Sequence, residues 1–192
     1  CSPHNPVGRV WSKEELKRIG DICIKHNVVI FSDEIHADFV YPGNKHTVFA
    51  SLGEEYAQNA VIATAPSKSF NIAGLQVSNI FIENKKLKGA FKNEIVKSGY
   101  SQMNTMGLVA ARAAYESGQE WLDAVREYIK GNLDFLRDYL KENIPQVKLI
   151  EPEGTYLVWV DFRELGLTEE EREDLIVNKA KLWIDSGAMF GV

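Results

Sequence analysis

The chain has 192 residues, of which 45% are hydrophobic and 26% are charged, the balance of an ordinary globular protein. Its formal net charge is −5 and its acidic and basic residues are interleaved, which argues against a nucleic-acid partner. No apolar run approaches the roughly 20 residues that span a bilayer, so we expect no membrane partner. No signal-peptide pattern is visible, and Cys1 and Cys23 lack metal-type spacing, so we expect free thiols in a reducing cytoplasm.

The first elements alternate between helix and short strand. Ser12 and Glu15 form a capping box, which predicts a helix from there to His26. Continuous apolar runs are typical of strands buried in a parallel sheet, and we expect the first of them to be buried on both faces. These runs cover residues 28–31, 60–63 and 77–82.

Helices dominate the second part of the chain. Apolar spacing predicts them over 85–97, 104–116 and 119–142, and two strands follow over 147–150 and 156–162, before a helix over 168–185. The first part is therefore predicted to be α/β and the last part α+β, with a boundary near residue 118. Because the chain opens in a loop and closes without a capping signal, we interpret it as an internal piece of a longer protein.

Three polar segments each follow a strand or strand-like run, at residues 5–8, 32–36 and 65–71. In open α/β sheets, ligands bind at the carboxyl ends of the strands. Taken singly, each segment has an ordinary explanation: Asn-Pro-Val-Gly is typical of a turn, and a lysine between two serines is typical of a solvated loop. Taken together and in this order, they predict a binding site.

The set resembles the class I/II aminotransferases of pyridoxal-phosphate (PLP) fold type I, and within them the MalY/PatB branch of cystathionine β-lyase-like C–S lyases. The strings that carry the resemblance are Pro-His-Asn-Pro-Val-Gly-Arg-Val-Trp, Ser-Asp-Glu-Ile-His-Ala-Asp-Phe and Ala-Pro-Ser-Lys-Ser-Phe-Asn-Ile-Ala-Gly-Leu. The resemblance covers essentially the whole chain, including Glu153-Gly154-Thr155-Tyr156. It implies an α/β fold, with part of the large, mostly parallel PLP-binding domain in residues 1–118 and a truncated small domain in 119–192. It also implies a homodimer.

The same resemblance implies that pyridoxal 5'-phosphate is the cofactor and that Lys68 carries it. A lysine can also act as the general base on the substrate's α-carbon proton, because its amine can lose a proton near neutral pH. The resemblance assigns to Asp33 the carboxylate that keeps the cofactor's ring nitrogen protonated. These two residues are the predicted catalytic pair.

Four further residues are implied to bind the cofactor. Asn5 and His36 would donate to its phenolic oxygen, Ile35 would pack on its ring, and Ser67 would contact its phosphate. Relatives often carry a hydroxyl residue three positions before the lysine and an arginine eight positions after it. Here those positions hold Ala65 and Gln76, so other groups must bind most of the phosphate.

A rival interpretation treats Asp33, Glu34, His36 and Asp38 as metal ligands. Because alternate residues of a strand share a face, these side chains would not all converge, so we predict no metal site.

The predicted activity is elimination of a thiol from a sulfur amino acid such as cystathionine or cysteine, giving pyruvate and ammonia. The alternative is an amino-acid aminotransferase, which shares the first proton abstraction. A second alternative, of another class, is a non-catalytic regulatory or binding module, and the presence of both Asp33 and Lys68 argues against it.

Overall fold

The computed structural model of the protein describes residues 1–100 and 102–191. The chain divides into two compact units, the first formed by Cys1–Asp134 with Glu151–Trp159, and the second by Phe135–Ile150 with the residues from Val160 onward. A domain boundary near residue 118 stays a prediction. None of the helices in the described part of the chain is both long and apolar enough to cross a membrane.

The first unit alternates helices with three short strands. Its strands are β1 (Ile30–Asp33), β2 (Ala60–Thr64) and β3 (Asn79–Phe81). Its α-helices are α1 (Lys13–Lys25), α2 (Glu54–Ala57), α3 (Pro66–Ser69), α4 (Lys85–Lys97), α5 (Thr105–Ser117) and the larger part of α6 (Gln119–Asn143), with 3-10 turns at Phe49–Leu52 and Ala73–Leu75.

Side-chain caps set the start of the main helices. At α1 the Ser12 hydroxyl accepts a hydrogen bond from the Glu15 N–H at 3.2 Å, and the Glu15 carboxylate accepts one from the Ser12 N–H at 2.9 Å, so the predicted capping box is confirmed. Asn84 caps α4 and Asn104 caps α5, and in each case the side-chain oxygen accepts one hydrogen bond from a backbone N–H of the first turn. The three helices lie within one residue of their predicted positions at each end.

The three strands form one sheet in the order β1-β2-β3. Strand β1 is parallel to β2, with Asp33 beside Ala63, and β3 is antiparallel to β2. The carboxyl ends of β1 and β2 therefore lie at the same edge of the sheet. Both polar segments that follow these strands begin at that edge.

The hydrophobic core covers one face of this sheet. Ile30, Ala60 and Ile62 point to that face, where they pack against residues of α1, α2 and the intervening turn, namely Leu16, Phe49, Leu52 and Tyr56. Phe31 points to the opposite face and is 61% exposed. The prediction that the first strand is buried on both faces is wrong for the described chain, because the described residues cover the Ile30 side of β1 and leave the Phe31 side exposed. Val28 and Val29 are also exposed, and the strand begins at Ile30.

Two strands, β4 (Lys148–Ile150) and β5 (Trp159–Asp161), form a separate two-stranded sheet. All of β4 and the last two residues of β5 belong to the second unit. Both strands are shorter than predicted. The unit also contains α7 (Glu169–Glu173), a π-helical turn at Asp174–Lys179, and 3-10 turns at Arg163–Leu165 and Gly187–Phe190.

The helix predicted over 168–185 starts as expected but ends early. Thr168 and Glu171 form a capping box. The helix then widens, with the N–H of Ala180 donating to the carbonyl of Leu175 at 2.9 Å, and Lys181 adopts a φ of 57°. A left-handed residue cannot continue a right-handed helix, so the prediction beyond Lys179 is wrong.

Candidate active site

The first part of the site is the end of β1. The N–H of Glu34 donates to the carbonyl of Ala63 at 2.9 Å, which continues the parallel pairing one residue past Asp33. The Asp33 carboxylate accepts a hydrogen bond from the N–H of Ile35 at 3.1 Å. The Asp33 carbonyl accepts one from the N–H of Ser2 at 3.0 Å. Asp33 is therefore held by its own turn and by the N-terminal loop.

That N-terminal loop carries Asn5. The N–H of Gly8 donates to the carbonyl of His4 at 2.7 Å, and the N–H of His4 donates to the carbonyl of Arg9 at 2.8 Å, so the expected turn forms. Gly8 has a φ of 75°, a backbone conformation that glycine adopts without strain. Asn5 lies exposed on this turn. The loop that contains the turn is joined to the end of β1 by the hydrogen bond from the Ser2 N–H to the Asp33 carbonyl.

The second part of the site is the short helix α3, which begins two residues after β2 ends. Pro66 occupies the first turn of α3, where its fixed φ is suited to a helix start. Ser67 and Ser69 are buried while Lys68 between them is exposed. The Ser69 hydroxyl donates a short hydrogen bond to the carboxylate of Asp38, which ties α3 to the segment that follows β1.

His36 lies between these two parts and is only 2% exposed. Burial lowers its pKa, the nearby Asp33 carboxylate opposes that shift, and the nearby Lys68 ammonium adds to it. The three predicted residues Asp33, His36 and Lys68 are thus close enough to interact electrostatically. The net effect lowers the pKa of His36, which favours the neutral imidazole.

One ring nitrogen of His36 provides a test of whether the site suits a bound cofactor. The Nδ1 atom is buried and, like the Nδ1 atoms of His4 and His46, has no hydrogen-bond partner among the described residues. A buried polar atom without a partner is costly, so such atoms usually have a ligand or a water as partner. Together with the adjacent carboxylate and lysine, this atom fits a small polar aromatic ligand such as pyridoxal phosphate.

A cavity of about 350 Å³ lies beside these residues. Its polar lining comes from α3 and the chain that follows it, namely Ser67, Lys68 and Asn71. Its apolar lining comes from one face of α6 and from three other positions, namely Trp121, Val125, Ile129, Phe39, Ala73 and Tyr156. Lys68 is the one charged residue among the described residues that line the cavity.

Glu34 has a structural position. It is 2% exposed, and its carboxylate accepts hydrogen bonds from the Ser32 hydroxyl at 3.0 Å and from the N–H of Phe49 at 2.9 Å, and pairs with His46 Nε2 at 3.0 Å. These three partners anchor the loop that leads from β1 to α2. Within residues 1–100 and 102–191, no group of three or more histidine, cysteine or acidic residues is placed to hold a metal.

Sequence reasoning missed several residues that line the cavity. Val125 and Ile129 belong to the apolar repeat of α6 and read as core, and Phe39 had no assigned role. Phe39 and Tyr156 each lie in one of the strings that carry the resemblance, which was the available signal. The roles of Asn5, Asp33, Ile35, His36, Ser67 and Lys68 toward a cofactor stay predictions.

The fold and this edge of its sheet define an α/β protein with a candidate ligand site at the carboxyl ends of two parallel strands. The chain belongs to the aminotransferase class I and II family, whose sequence profile matches residues 1–192.

Known proteins of similar sequence and fold include C–S lyases. Cystathionine β-lyase PatB of Bacillus subtilis is 40% identical over 191 residues, which are 100% of this chain and 49% of that protein. Among solved structures, cystalysin of Treponema denticola, which contains pyridoxal 5'-phosphate, superposes with a TM-score of 0.95 at 41% identity over 100% of this chain and 48% of its own. A PLP-bound protein of Clostridium difficile 630, provisionally classed as an aminotransferase, superposes with a TM-score of 0.97 at 46% identity. The match covers 100% of this chain and 50% of that protein's chain. The chain spans about half the length of these relatives.

Proposed function

We propose that the full-length protein is a PLP-dependent C–S lyase that acts on a sulfur amino acid such as cystathionine or cysteine and releases pyruvate, ammonia and a thiol. The observation that carries the proposal is the convergence of Lys68, His36 and Asp33 at one edge of the sheet. Similarity to PatB and cystalysin supports the reaction class. We also propose that the protein forms a homodimer, as the resemblance to this branch implies, and that it is located in the cytoplasm, where Cys1 and Cys23 would stay free thiols.

In this proposal each residue acts through a specific atom. Bound pyridoxal phosphate supplies an electron sink for the electron pair left when the substrate loses its α-proton. Lys68 Nζ holds the cofactor and then takes that proton. The Asp33 carboxylate keeps a proton on the cofactor's ring nitrogen.

The remaining groups orient the cofactor and shield the reacting carbon from water. His36 Nδ1 and the Asn5 amide bind the cofactor's phenolic oxygen, Ile35 packs on its ring, and Ser67 contributes to its phosphate site. The apolar cavity wall from α6 keeps water from the reacting carbon, which strengthens the electrostatic interactions within the site.

The test is an assay of the full-length protein for pyruvate from cystathionine, alongside an assay for glutamate-dependent transamination. We expect pyruvate release to dominate. Dominant transamination would instead support an aminotransferase, which the similarity to the Clostridium difficile protein also allows. Absence of both activities in protein that holds the cofactor would contradict the enzyme proposal and favour a binding module.

The lysine assignment has its own test. Borohydride reduction followed by peptide mapping should place the cofactor on Lys68. Lys68→Ala should lower turnover by about 10²-fold to 10⁴-fold or more, because that is the range for loss of a positioned proton-transfer group. Lys97→Ala is the matched control, because Lys97 is exposed and pairs with Glu94 on α4. Cofactor trapped on another lysine would contradict the assignment.

A further inference from the structure

Residues 153–156, Glu-Gly-Thr-Tyr, have no part in the chemistry proposed above, yet they are hydrogen-bonded on two sides. The N–H groups of Glu153 and Gly154 both donate to the carbonyl of Gly8, at 2.8 Å each. The N–H of Thr155 donates to the carbonyl of Phe39, also at 2.8 Å. The segment therefore joins the N-terminal turn to the chain that follows β1.

The backbone on both sides of Tyr156 is fixed. A Cβ atom on Gly154 would lie 2.7 Å from the carbonyl oxygen of Phe39 and 3.0 Å from the side chain of Pro3, so the chain packs too closely there for any larger residue. Thr155 is 1% exposed, and its hydroxyl accepts a hydrogen bond from the N–H of Leu157 at 3.2 Å. The position of the Tyr156 backbone is thus set by its neighbours.

The Tyr156 ring is held on one side by two other rings. Its centroid lies 5.4 Å from that of His36 at an interplanar angle of 65°, and 5.2 Å from that of Phe39 at 85°. These are edge-to-face arrangements, which aromatic pairs favour. The ring is still 36% exposed, and it lines the cavity that Lys68 also lines.

The cavity wall formed by Tyr156 and α6 is uncharged. Trp121, Val125 and Ile129 supply apolar surface, and burial raises the pKa of the Tyr156 hydroxyl, which therefore stays protonated at neutral pH. An uncharged wall beside a single lysine favours a ligand with a polar end and an apolar or thioether side chain. Sulfur packs favourably against aromatic rings.

We propose that Tyr156 determines substrate specificity, because its ring forms the wall against which the apolar or thioether side chain of an amino-acid substrate packs. The inference rests on the proposed function, since it requires amino acids to bind beside Lys68. It assigns a role to the one string of the family resemblance that the reaction itself leaves unexplained.

The test uses the full-length protein with pyridoxal phosphate and two amino acids that carry no β-leaving group, alanine and norleucine. Their dissociation constants are measured from the change in cofactor absorbance. Tyr156→Ala should weaken norleucine binding about tenfold and alanine binding less than about twofold, since only norleucine reaches the ring. Tyr156→Phe should retain both affinities. Tyr128→Ala removes an exposed tyrosine of α6 and is the matched control.

The possible outcomes separate this inference from the proposed function. Equal weakening of both ligands by Tyr156→Ala, or no weakening of either, would overturn the specificity role while leaving the lyase proposal intact. No absorbance change when either amino acid is added to the unaltered protein would overturn both. If Tyr156→Ala does not fold, the affinity ratio is measured in Tyr156→Leu, and an unchanged ratio there overturns the inference.

Discussion

The carboxylate of Asp33 accepts the N–H of Ile35 at 3.1 Å, and an asparagine side chain at the same position can accept that bond through its amide oxygen. Asp33→Asn therefore removes the charge while keeping the turn. We expect cofactor affinity to fall modestly and the exchange of the substrate's α-proton with solvent to slow by at least about 100-fold, because the ring nitrogen is no longer held protonated. Proton exchange by NMR and cofactor binding by dialysis measure the two effects.

Asp123→Asn is the control for charge removal, since Asp123 is on the exposed side of α6 and pairs with Arg126. Near-normal α-proton exchange in Asp33→Asn would refute the electron-sink role of this carboxylate.

His36 should make the free energy of unfolding depend on pH. Because burial lowers its pKa in the folded protein below the ordinary value of 6.5, the unfolded state binds the proton more readily. The His36 contribution to the free energy of unfolding should be constant above that value. It should fall as the pH drops from 6.5 toward the lower pKa of the folded state.

Urea unfolding between pH 8 and pH 5 measures this dependence. His36→Gln should give a flatter profile than the unaltered protein. A His36→Gln profile with the same slope would show that the histidine is equally solvated in both states.

The sequence indicated Asp33 and Lys68 through the strings of the family resemblance, and in the structure Asp33 is the last residue of β1 while Lys68 comes four residues after the end of β2. It did not allow prediction of the cavity walls. Phe39 and Tyr156 meet through the hydrogen bond of Thr155 to Phe39, and Trp121 joins them from a helix. Contacts between such distant positions depend on packing, which local patterns do not encode.

At the scale of elements, two glycines in helices of equal length give a matched pair. A Cβ on Gly20 of α1 would lie 2.5 Å from Cδ1 of the buried Tyr56, whereas a Cβ on Gly89 of α4 would have nothing within 4 Å. Alanine is better than glycine within a helix by up to about 1 kcal/mol. We expect Gly89→Ala to stabilise the protein by up to that amount and Gly20→Ala to destabilise it by about 1–3 kcal/mol, because the ring must move.

Chemical unfolding of both variants measures the difference, and circular dichroism controls for retained helix content. Equal stabilisation by the two substitutions would mean that the Tyr56 ring can move away from α1 without destabilising the protein.

Helices were predicted more accurately than strands, for a physical reason. Capping residues such as Ser12, Asn84 and Asn104 mark a helix start locally. A strand end is set by its partner strand: β1 starts at Ile30, opposite Ala60, although the apolar run begins two residues earlier. The early end of the last helix followed from the backbone of Lys181, which no residue pattern indicated.

At the scale of the whole molecule, the chain covers about half of the relatives it resembles, 49% of PatB and 48% of cystalysin. The family resemblance also implies that Ala65 and Gln76 stand at two positions where relatives often carry phosphate-binding residues. We therefore expect these 192 residues alone to bind pyridoxal phosphate weakly and to have no turnover. Equilibrium dialysis tests this, and tight stoichiometric binding would show that the residues present suffice.

The same chain should self-associate. Phe31 on β1, with Met106 and Val109 on α5, leave apolar surface exposed, and β1 is an edge strand of its sheet. Sedimentation velocity should show association that Phe31→Lys reduces and Tyr128→Lys, on α6, does not. A monomer at high concentration would contradict the expectation.

The two hydrogen bonds that Gly8 accepts from Glu153 and Gly154 join residues far apart along the chain, so we expect them to form late in folding. The core around Leu16, Phe49 and Ile62 uses residues close together along the chain, so it closes with a small loss of loop entropy. The turn that carries Asn5 is closed by local hydrogen bonds, but its Gly8 carbonyl gains its partners only from residues 153 and 154. We therefore expect the nascent chain to form this core first and to complete the hydrogen bonds of the Asn5 turn only after Gly154 has emerged from the ribosome.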